Sequence, residues 1–450
     1  MEKPSTFERF NAWLSQSVTV KLFSIGFLIL ILLIPTSMLT SLINERQSLR
    51  DDATREVSSK WGADQTIGGP VFSIPFYREV KNEKGVSTYQ KEFAHFLPDN
   101  INIQGKVVPE NRHRGIYDVV LYKTVLHITG TFSYPDLASI GLDPSYCKPE
   151  ESFLSVGLSD MKGINEAVTC KIGDTTLIFG PGIPSSDVFH SGMSSKFNPK
   201  PGSNLSFDMT VDLNGSSSIN FLPFGKETTV DLSSPWTNPS FTGSFLPESP
   251  NNVKDDGFSA HWKVLQLNRN YPQAGIGAFI PSDSYVDGSS ELSSFGVKLL
   301  LPVDEYQKNF RSVKYCLMFI ILTYLAFFFF EIMNKKRIHP IQYLLVGFAI
   351  CLFYVLLLSI SEHLSFGTAY LIGALATVAL ISYYVKAIFK NTKLTALFSL
   401  LLLLLYGFFY SLLQLQDYSL LLGSIGLFFI LAVIMTMTRK IDWYRNQQSG

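Results

Sequence analysis

Charge is scarce in this sequence: lysine, arginine, aspartate and glutamate make up 16% of 450 residues, where soluble globular chains carry about 25%. That shortfall excludes a wholly soluble protein. The two signs also balance, with 37 basic and 37 acidic residues, so no global field draws the chain to nucleic acid or to an acidic substrate. Cysteine is limited to four residues, and the seven histidines (His95, His113, His127, His190, His261, His339 and His363) are scattered. No CxxC or cysteine–histidine spacing of a zinc site occurs, so neither a metal nor another cofactor is expected. HExxH, GxSxG, P-loop and GxGxxG patterns are missing as well. The nearest approach to a catalytic motif is Ser159-Asp160-Met161-Lys162, an SxxK match without its SDN and KTG companions. A four-residue pattern with two free positions arises by chance in a chain of this length, so no enzymatic activity is expected from it.

What the sequence does have is long apolar runs. A bilayer-spanning helix takes about 20 such residues, and six stretches qualify: 22–43, 313–333, 341–361, 367–385, 394–414 and 418–438. The first is open to reading as a cleavable signal peptide, because Lys3, Arg9 and Lys21 precede it. It runs on past Pro35 through Leu42 and Ile43 without a small-x-small cleavage site, and so reads as an uncleaved anchor. Basic residues gather at alternate ends of the runs: Lys3, Arg9 and Lys21; Lys335, Lys336 and Arg337; Lys386, Lys390 and Lys393; Arg439, Lys440 and Arg445. Positive side chains favour the cytoplasmic face. Residues 1–21 and 439–450 are therefore predicted to be cytoplasmic, and the long segment between the first two spans to lie outside the cytoplasm.

The span interiors read as uncharged, with Lys314 and Glu331 flanking the second span and Glu362-His363 closing the third. Ion-coupled transport is not expected, because a charge in hydrocarbon is kept only for function; passage of an apolar lipid stays open. Ser359, Ser361, Glu362 and His363 form a candidate polar cluster at the outer interface, the alternative being side chains that simply reach the headgroups. His339, Pro340, Gln342 and Tyr343 open the third span at its inner face as a helix start and interfacial anchor.

Between the first two spans, residues 44–60 read as an amphipathic helical stalk, with Leu42, Leu49, Ala53, Val57 and Trp61 recurring at helical spacing. Residues 61–312 read as strands. Leu205, Phe207, Met209, Val211 and Leu213 alternate with polar residues, and Asn214-Gly215 then predicts a two-residue hairpin turn before Ile219, Phe221 and Leu222. Further strands are predicted at 71–80, 86–96 after a turn at 81–85, 115–134, 175–179, 258–267 and 295–301. The expected fold is a membrane α-helical bundle of six transmembrane helices plus a large, mainly antiparallel, sandwich-like β domain inserted between helices 1 and 2. Cys147 and Cys170 fall in that outer domain and form the one candidate disulfide an oxidising compartment allows, two buried free thiols being the alternative. Cys316 and Cys351 fall inside spans.

Arg337-Ile338-His339-Pro340-Ile341-Gln342-Tyr343 and Leu357-Leu358-Ser359-Ile360-Ser361-Glu362-His363 strongly resemble the CreD family of bacterial inner-membrane proteins. Gly69-Pro70, Arg114-Gly115-Ile116-Tyr117, Gly257-Phe258-Ser259-Ala260-His261-Trp262 and Asp442-Trp443-Tyr444 extend the likeness over nearly the whole chain. The resemblance implies a protein of the Gram-negative inner membrane linked to the CreBC two-component response, to envelope integrity, and to tolerance of colicins and β-lactams. It implies no activity, cofactor or catalytic residue. Three functions follow as alternatives: a non-enzymatic envelope-integrity protein whose β domain binds a lipid, glycan or peptide of the envelope; a lipid or small-molecule transporter formed by the C-terminal helices; and an enzyme on cell-wall or lipid material. The first fits the absence of catalytic motifs best, with the lipid bilayer as partner and no nucleic acid.

Overall fold

A computed structural model describes residues 18–81, 87–200, 203, 205–248, 253–254, 256–280, 293–301, 305–334, 338–415 and 418–439. The expected turn at 81–85, beyond its first residue, and Lys3, Arg9, Lys335, Lys336, Arg337, Lys440 and Arg445 lie outside the described residues. The chain forms two compact units, Met1–Leu49 with Val303–Gly450, and Arg50–Pro302.

The first unit is helical. Helix α1, Val18–Trp61, is continuous over 44 residues with Pro35 inside it. The apolar run and the amphipathic stretch after it are thus one helix, of which the residues to Leu49 belong to this unit and those from Arg50 to the second. Then come α2 (Glu305–Lys314), α3 (Cys316–Met333), α4 (Pro340–Ser361), α5 (Phe366–Phe389), α6 (Thr392–Gln414) and α7 (Ser419–Thr438). Among the described residues, α1 and α3 to α7 are the six helices long and apolar enough to cross a membrane. The second span therefore starts three residues later than expected. In front of it, α2 buries Tyr306, Asn309, Ser312 and Val313 on one side and belongs with the helices rather than with the strands. Aromatic rings fill the bundle: Phe319 and Phe353 each pack on Tyr406 at 4.5 and 4.9 Å between centroids, and Tyr370 Oη donates to the Tyr406 carbonyl at 2.8 Å.

The second unit has a nine-stranded and an eight-stranded sheet. Pairing is antiparallel except between Gln65–Lys81 and Ser218–Phe221 and between Glu227–Ser234 and Asn100–Arg114. One core takes side chains from both sheets, including Phe72, Leu154 and Phe221 from the first and Ile103, Leu126 and Trp262 from the second. Period-two alternation produces it: in Ser206–Ser216, Phe207, Met209, Val211 and Leu213 are buried while Asp208 and Thr210 face out.

The hairpin expected at Asn214-Gly215 is not there. That strand runs through both residues and stays paired with Tyr117–Thr131 as far as Ser216 opposite Leu121. The chain turns at Ser217, with φ +53°, and passes to the other sheet. The glycine is explained by its cross-strand partner: a Cβ at Gly215 would lie 2.2 Å from Tyr122 Oη, and that buried hydroxyl donates to the Ser218 carbonyl at 2.8 Å. Asn214 is held by a reciprocal amide pair with Asn165 at 2.7 and 3.0 Å. Gly215→Ala should therefore overpack the strand and lower stability by about 1–3 kcal/mol. Thermal unfolding of the full-length protein followed by tryptophan emission checks this, and an unchanged midpoint would mean that Tyr122 does not occupy the space.

Candidate functional site

The strongest concentration of polar contacts in an apolar setting lies where α1 begins. Glu331, in the last turn of α3, is 4% exposed. Its carboxylate accepts from the Ile338 amide at 2.8 Å and from Tyr343 Oη at 2.9 Å, and it forms a hydrogen-bonded ion pair with Lys21 in the first turn of α1. Local sequence builds this arrangement. His339 Nδ1 accepts from the Ile341 amide at 3.3 Å, Gln342 Oε1 accepts from the His339 amide at 3.0 Å, and Pro340 occupies the first helical position, where its missing N–H costs nothing. That cap fixes the start of α4 and sets Tyr343 beside Glu331, with its ring edge-on to Tyr324 and Phe327 at 5.5 and 5.2 Å. His339, Pro340 and Gln342 thus form a helix start, while Tyr343 joins a buried ionic cluster. Glu331 lies at the end of its span, as expected of a flanking charge, but it is buried and paired rather than reaching outward. Its signal was an acid directly after Phe327-Phe328-Phe329-Phe330, but its partner lies 310 residues away, beyond any local pattern.

At the other end of α4 the candidate cluster divides. Ser361 Oγ accepts from Asn309 Nδ2 at 2.7 Å, and Glu362 Oε1 accepts from Tyr306 Oη at 3.1 Å and faces Arg46 Nε at 3.8 Å. These contacts seat α2 on α4 and bring α1 alongside. Ser359 and His363 are exposed and stand outside this network.

In the β unit, Ser73 and His95 face each other across paired strands. Ser73 Oγ lies 2.8 Å from His95 Nδ1, His95 Nε2 lies 3.2 Å from Asp187 Oδ2, and Ser185 Oγ donates to the same Asp187 oxygen at 2.5 Å. The imidazole lies nearly parallel to the rings of Phe93 and Phe279, at 6.3 and 6.2 Å between centroids. These are the residue types of a hydrolytic triad, yet Ser73 is 1% and His95 2% exposed, so no substrate carbonyl can reach the hydroxyl. The chain of hydrogen bonds locks the strands instead. The His95 hydrogen bond holds the Asp187 carboxyl below its ordinary range against the opposing effect of burial. A depressed folded-state pKa contributes stability that is present above the unfolded carboxyl's value, about 3.9, and is lost as pH falls through the folded value. Asp187→Asn should cost about 1 kcal/mol at neutral pH, the low figure reflecting partial solvent access. Unfolding midpoints of wild type and variant should converge as pH is lowered; a difference constant down to the acid limit would contradict the assignment.

The remaining sequence candidates are accounted for separately. Ser159 Oγ accepts from the Thr66 amide at 2.9 Å and donates to the Asp64 carbonyl at 2.7 Å, while Lys162 Nζ donates to the Ser59 carbonyl at 3.1 Å. The two side chains serve different strand and helix ends and do not act on each other. Cys147 and Cys170 are free and buried, and the expected disulfide is not formed. Cys147 bridges to Phe76 on the nine-stranded sheet, whereas Cys170 lies in Thr169–Ile172 of the eight-stranded sheet. Burial raises the Cys147 thiol and pushes that of Cys170 up to about 11, so both are poor nucleophiles. Among the described residues no three His, Cys, Asp or Glu side chains converge as metal ligands.

Six apolar helices with a two-sheet unit inserted between the first and second define a multi-pass membrane protein with one large domain outside the hydrocarbon. The family model described as "Inner membrane protein CreD" matches residues 17–444. Inner membrane protein CreD of Escherichia coli (strain K12) is 32% identical over 426 residues, covering 92% of this chain and 91% of that protein. The chain belongs to the CreD family and is an inner-membrane protein.

Proposed function

We propose that this protein serves envelope integrity without catalysing a reaction: its β unit lies in the periplasm and binds an envelope component, while its helices hold it in the inner membrane with both termini cytoplasmic. The observation that carries this reading is the insertion of a unit with its own two-sheet core between spans one and two, combined with the placement of charge. Lys21 at the start of α1, Lys386 and Lys390 at the end of α5, Lys393 at the start of α6 and Arg439 after α7 fall on one side of alternating spans, the side that positive residues favour. For the ligand, an open polar depression of about 510 Å³ bears Lys106, Lys254, Asp256, Ser233 and Ser259, groups suited to a glycan or peptide. The alternative, transport of a lipid or small molecule by the C-terminal helices, has in its support a cavity of about 210 Å³ among α3, α6 and α7, lined by side chains such as Leu322, Leu405, Phe429 and Val433 that suit an acyl chain.

Full-length protein immobilised in nanodiscs and presented with soluble peptidoglycan fragments, periplasmic peptides and lipid vesicles tests this. One class should be retained, and the Lys106→Glu/Lys254→Glu variant should retain less. Retention of none of the three, or retention indifferent to those exchanges, would contradict the reading and its placement of the ligand respectively.

A further inference from the structure

Helices α1 and α4 meet where Leu32 lies over Gly347, and α1 again approaches the end of α4 through Arg46 and Glu362. Leu32 is fully buried over Gly347, where an added Cβ would lie 2.3 Å from Leu32 Cδ1. Beyond that contact the facing residues Ser37, Ser41 and Cys351 are small, and a groove of about 530 Å³ opens between the two helices, a volume in the range of sites for small organic ligands. Its walls are Met38 and Leu42 on α1 and Phe348, Leu352 and Val355 on α4. From Pro35 to Glu45 the groove rises about 15 Å, half of a hydrocarbon core, which is the reach of one leaflet's acyl chains.

The mouth of this groove is charged. Glu45, exposed, closes its α1 side. On α4, Ser359 and Glu362 follow Phe348, Leu352 and Val355 at spacings of three and four, so they continue the same stripe. Arg46 faces Glu362 through Nε at 3.8 Å and stays 42% exposed, leaving guanidinium donors for another acceptor. Glu45 and Glu362 thus set two carboxylates beside the Arg46 guanidinium at the mouth.

We infer that the groove between α1 and α4 binds a glycerophospholipid with a primary-amine headgroup, of the phosphatidylethanolamine type. One acyl chain lies along Met38, Leu42, Leu352 and Val355, the ammonium meets Glu45, and the phosphate meets Arg46. Phosphatidylglycerol has no cation to set against the Glu45 carboxylate. A quaternary ammonium such as phosphatidylcholine lacks the N–H donors a carboxylate accepts from. The site lies wholly within the helical unit and is independent of what the β unit binds.

Full-length protein reconstituted with equal amounts of phosphatidylethanolamine, phosphatidylglycerol and phosphatidylcholine, then released in mild detergent for native mass spectrometry, tests the site. One phosphatidylethanolamine should be retained per chain in preference to the other two. Val355→Trp, which fills the groove from a lipid-facing position, should lower retention at least about fivefold, and Glu45→Lys should reverse the preference toward phosphatidylglycerol by a similar factor, as expected for one partly desolvated ion pair. Glu45 is exposed, so its exchange keeps the test decisive if Val355→Trp lowers yield. Equal retention of the three lipids, retention unaltered by Glu45→Lys, or a dimer with a second copy seated in the groove would overturn the inference.

Discussion

Lys21→Met is expected to destabilise the helical unit by about 3–5 kcal/mol, and adding Glu331→Gln to it is expected to restore more than half of that loss. The lysine is the sole cation facing Glu331 among the described contacts, and the carboxylate is 5% exposed by its side chain while Lys21 is 24% exposed. Removing the lysine takes from a buried carboxylate its one cationic partner among the described residues, which costs far more than an intact pair contributes. Glutamine at 331 removes that charge yet keeps an oxygen to accept from Tyr343 Oη or the Ile338 amide, the two neutral donors already present. The double variant should thus be more stable than the Lys21→Met single variant, a non-additivity that a double-mutant cycle measures directly. Thermal unfolding in detergent, followed by helical circular dichroism, gives the comparison. Additive losses would show that the two side chains do not share a buried site.

Trp262→Ala is expected to cost the β unit about 3–5 kcal/mol, the usual range for truncating a fully buried aromatic. Trp262 is 0% exposed, and its ring packs at 5.7 Å against Phe241 and at 5.8 Å against Phe295. Its Nε1 donates to the Phe245 carbonyl at 3.2 Å. The indole comes from the eight-stranded sheet, whereas Phe241 and Phe295 come from strands of the nine-stranded sheet. The cavity therefore opens where the two sheets meet, and both should loosen together. In the full-length variant the strand signal should fall in a single transition at lower temperature; two separate strand transitions would contradict a shared core.

Much of this architecture was legible because it rests on local periodicity. Apolar runs of membrane length need no partner to be recognised, and strand 206–216 shows its alternation residue by residue. The family was legible in contiguous stretches around His339 and Glu362. What escaped depends on residues far apart in the chain. Gly215 follows Asn214 as it would in a hairpin, but its cause is the Tyr122 ring on a neighbouring strand. Glu331 read as a flanking charge because its lysine belongs to a different helix. The apolar run that begins beside α2 hides its polar face, so Tyr306 and Asn309 read with the strands although they bind Glu362 and Ser361. His95 was one of seven scattered histidines until strand pairing set it opposite Ser73, with Asp187 at its other nitrogen. Cys147 and Cys170 shared a compartment, but sheet membership separates them.

Membrane-impermeant maleimide labelling tests the periplasmic orientation of the two-sheet unit most directly. The four native cysteines are buried, which keeps the background low. Ile116, 44% exposed at a turn between strands, and Lys393, exposed at the start of α6, are the sites to convert singly to cysteine. In cells with a permeabilised outer membrane and an intact inner membrane, Ile116→Cys should label at once and Lys393→Cys only after the inner membrane is opened. Labelling of Lys393→Cys in intact inner membranes, or protection of Ile116→Cys, would contradict a periplasmic β unit.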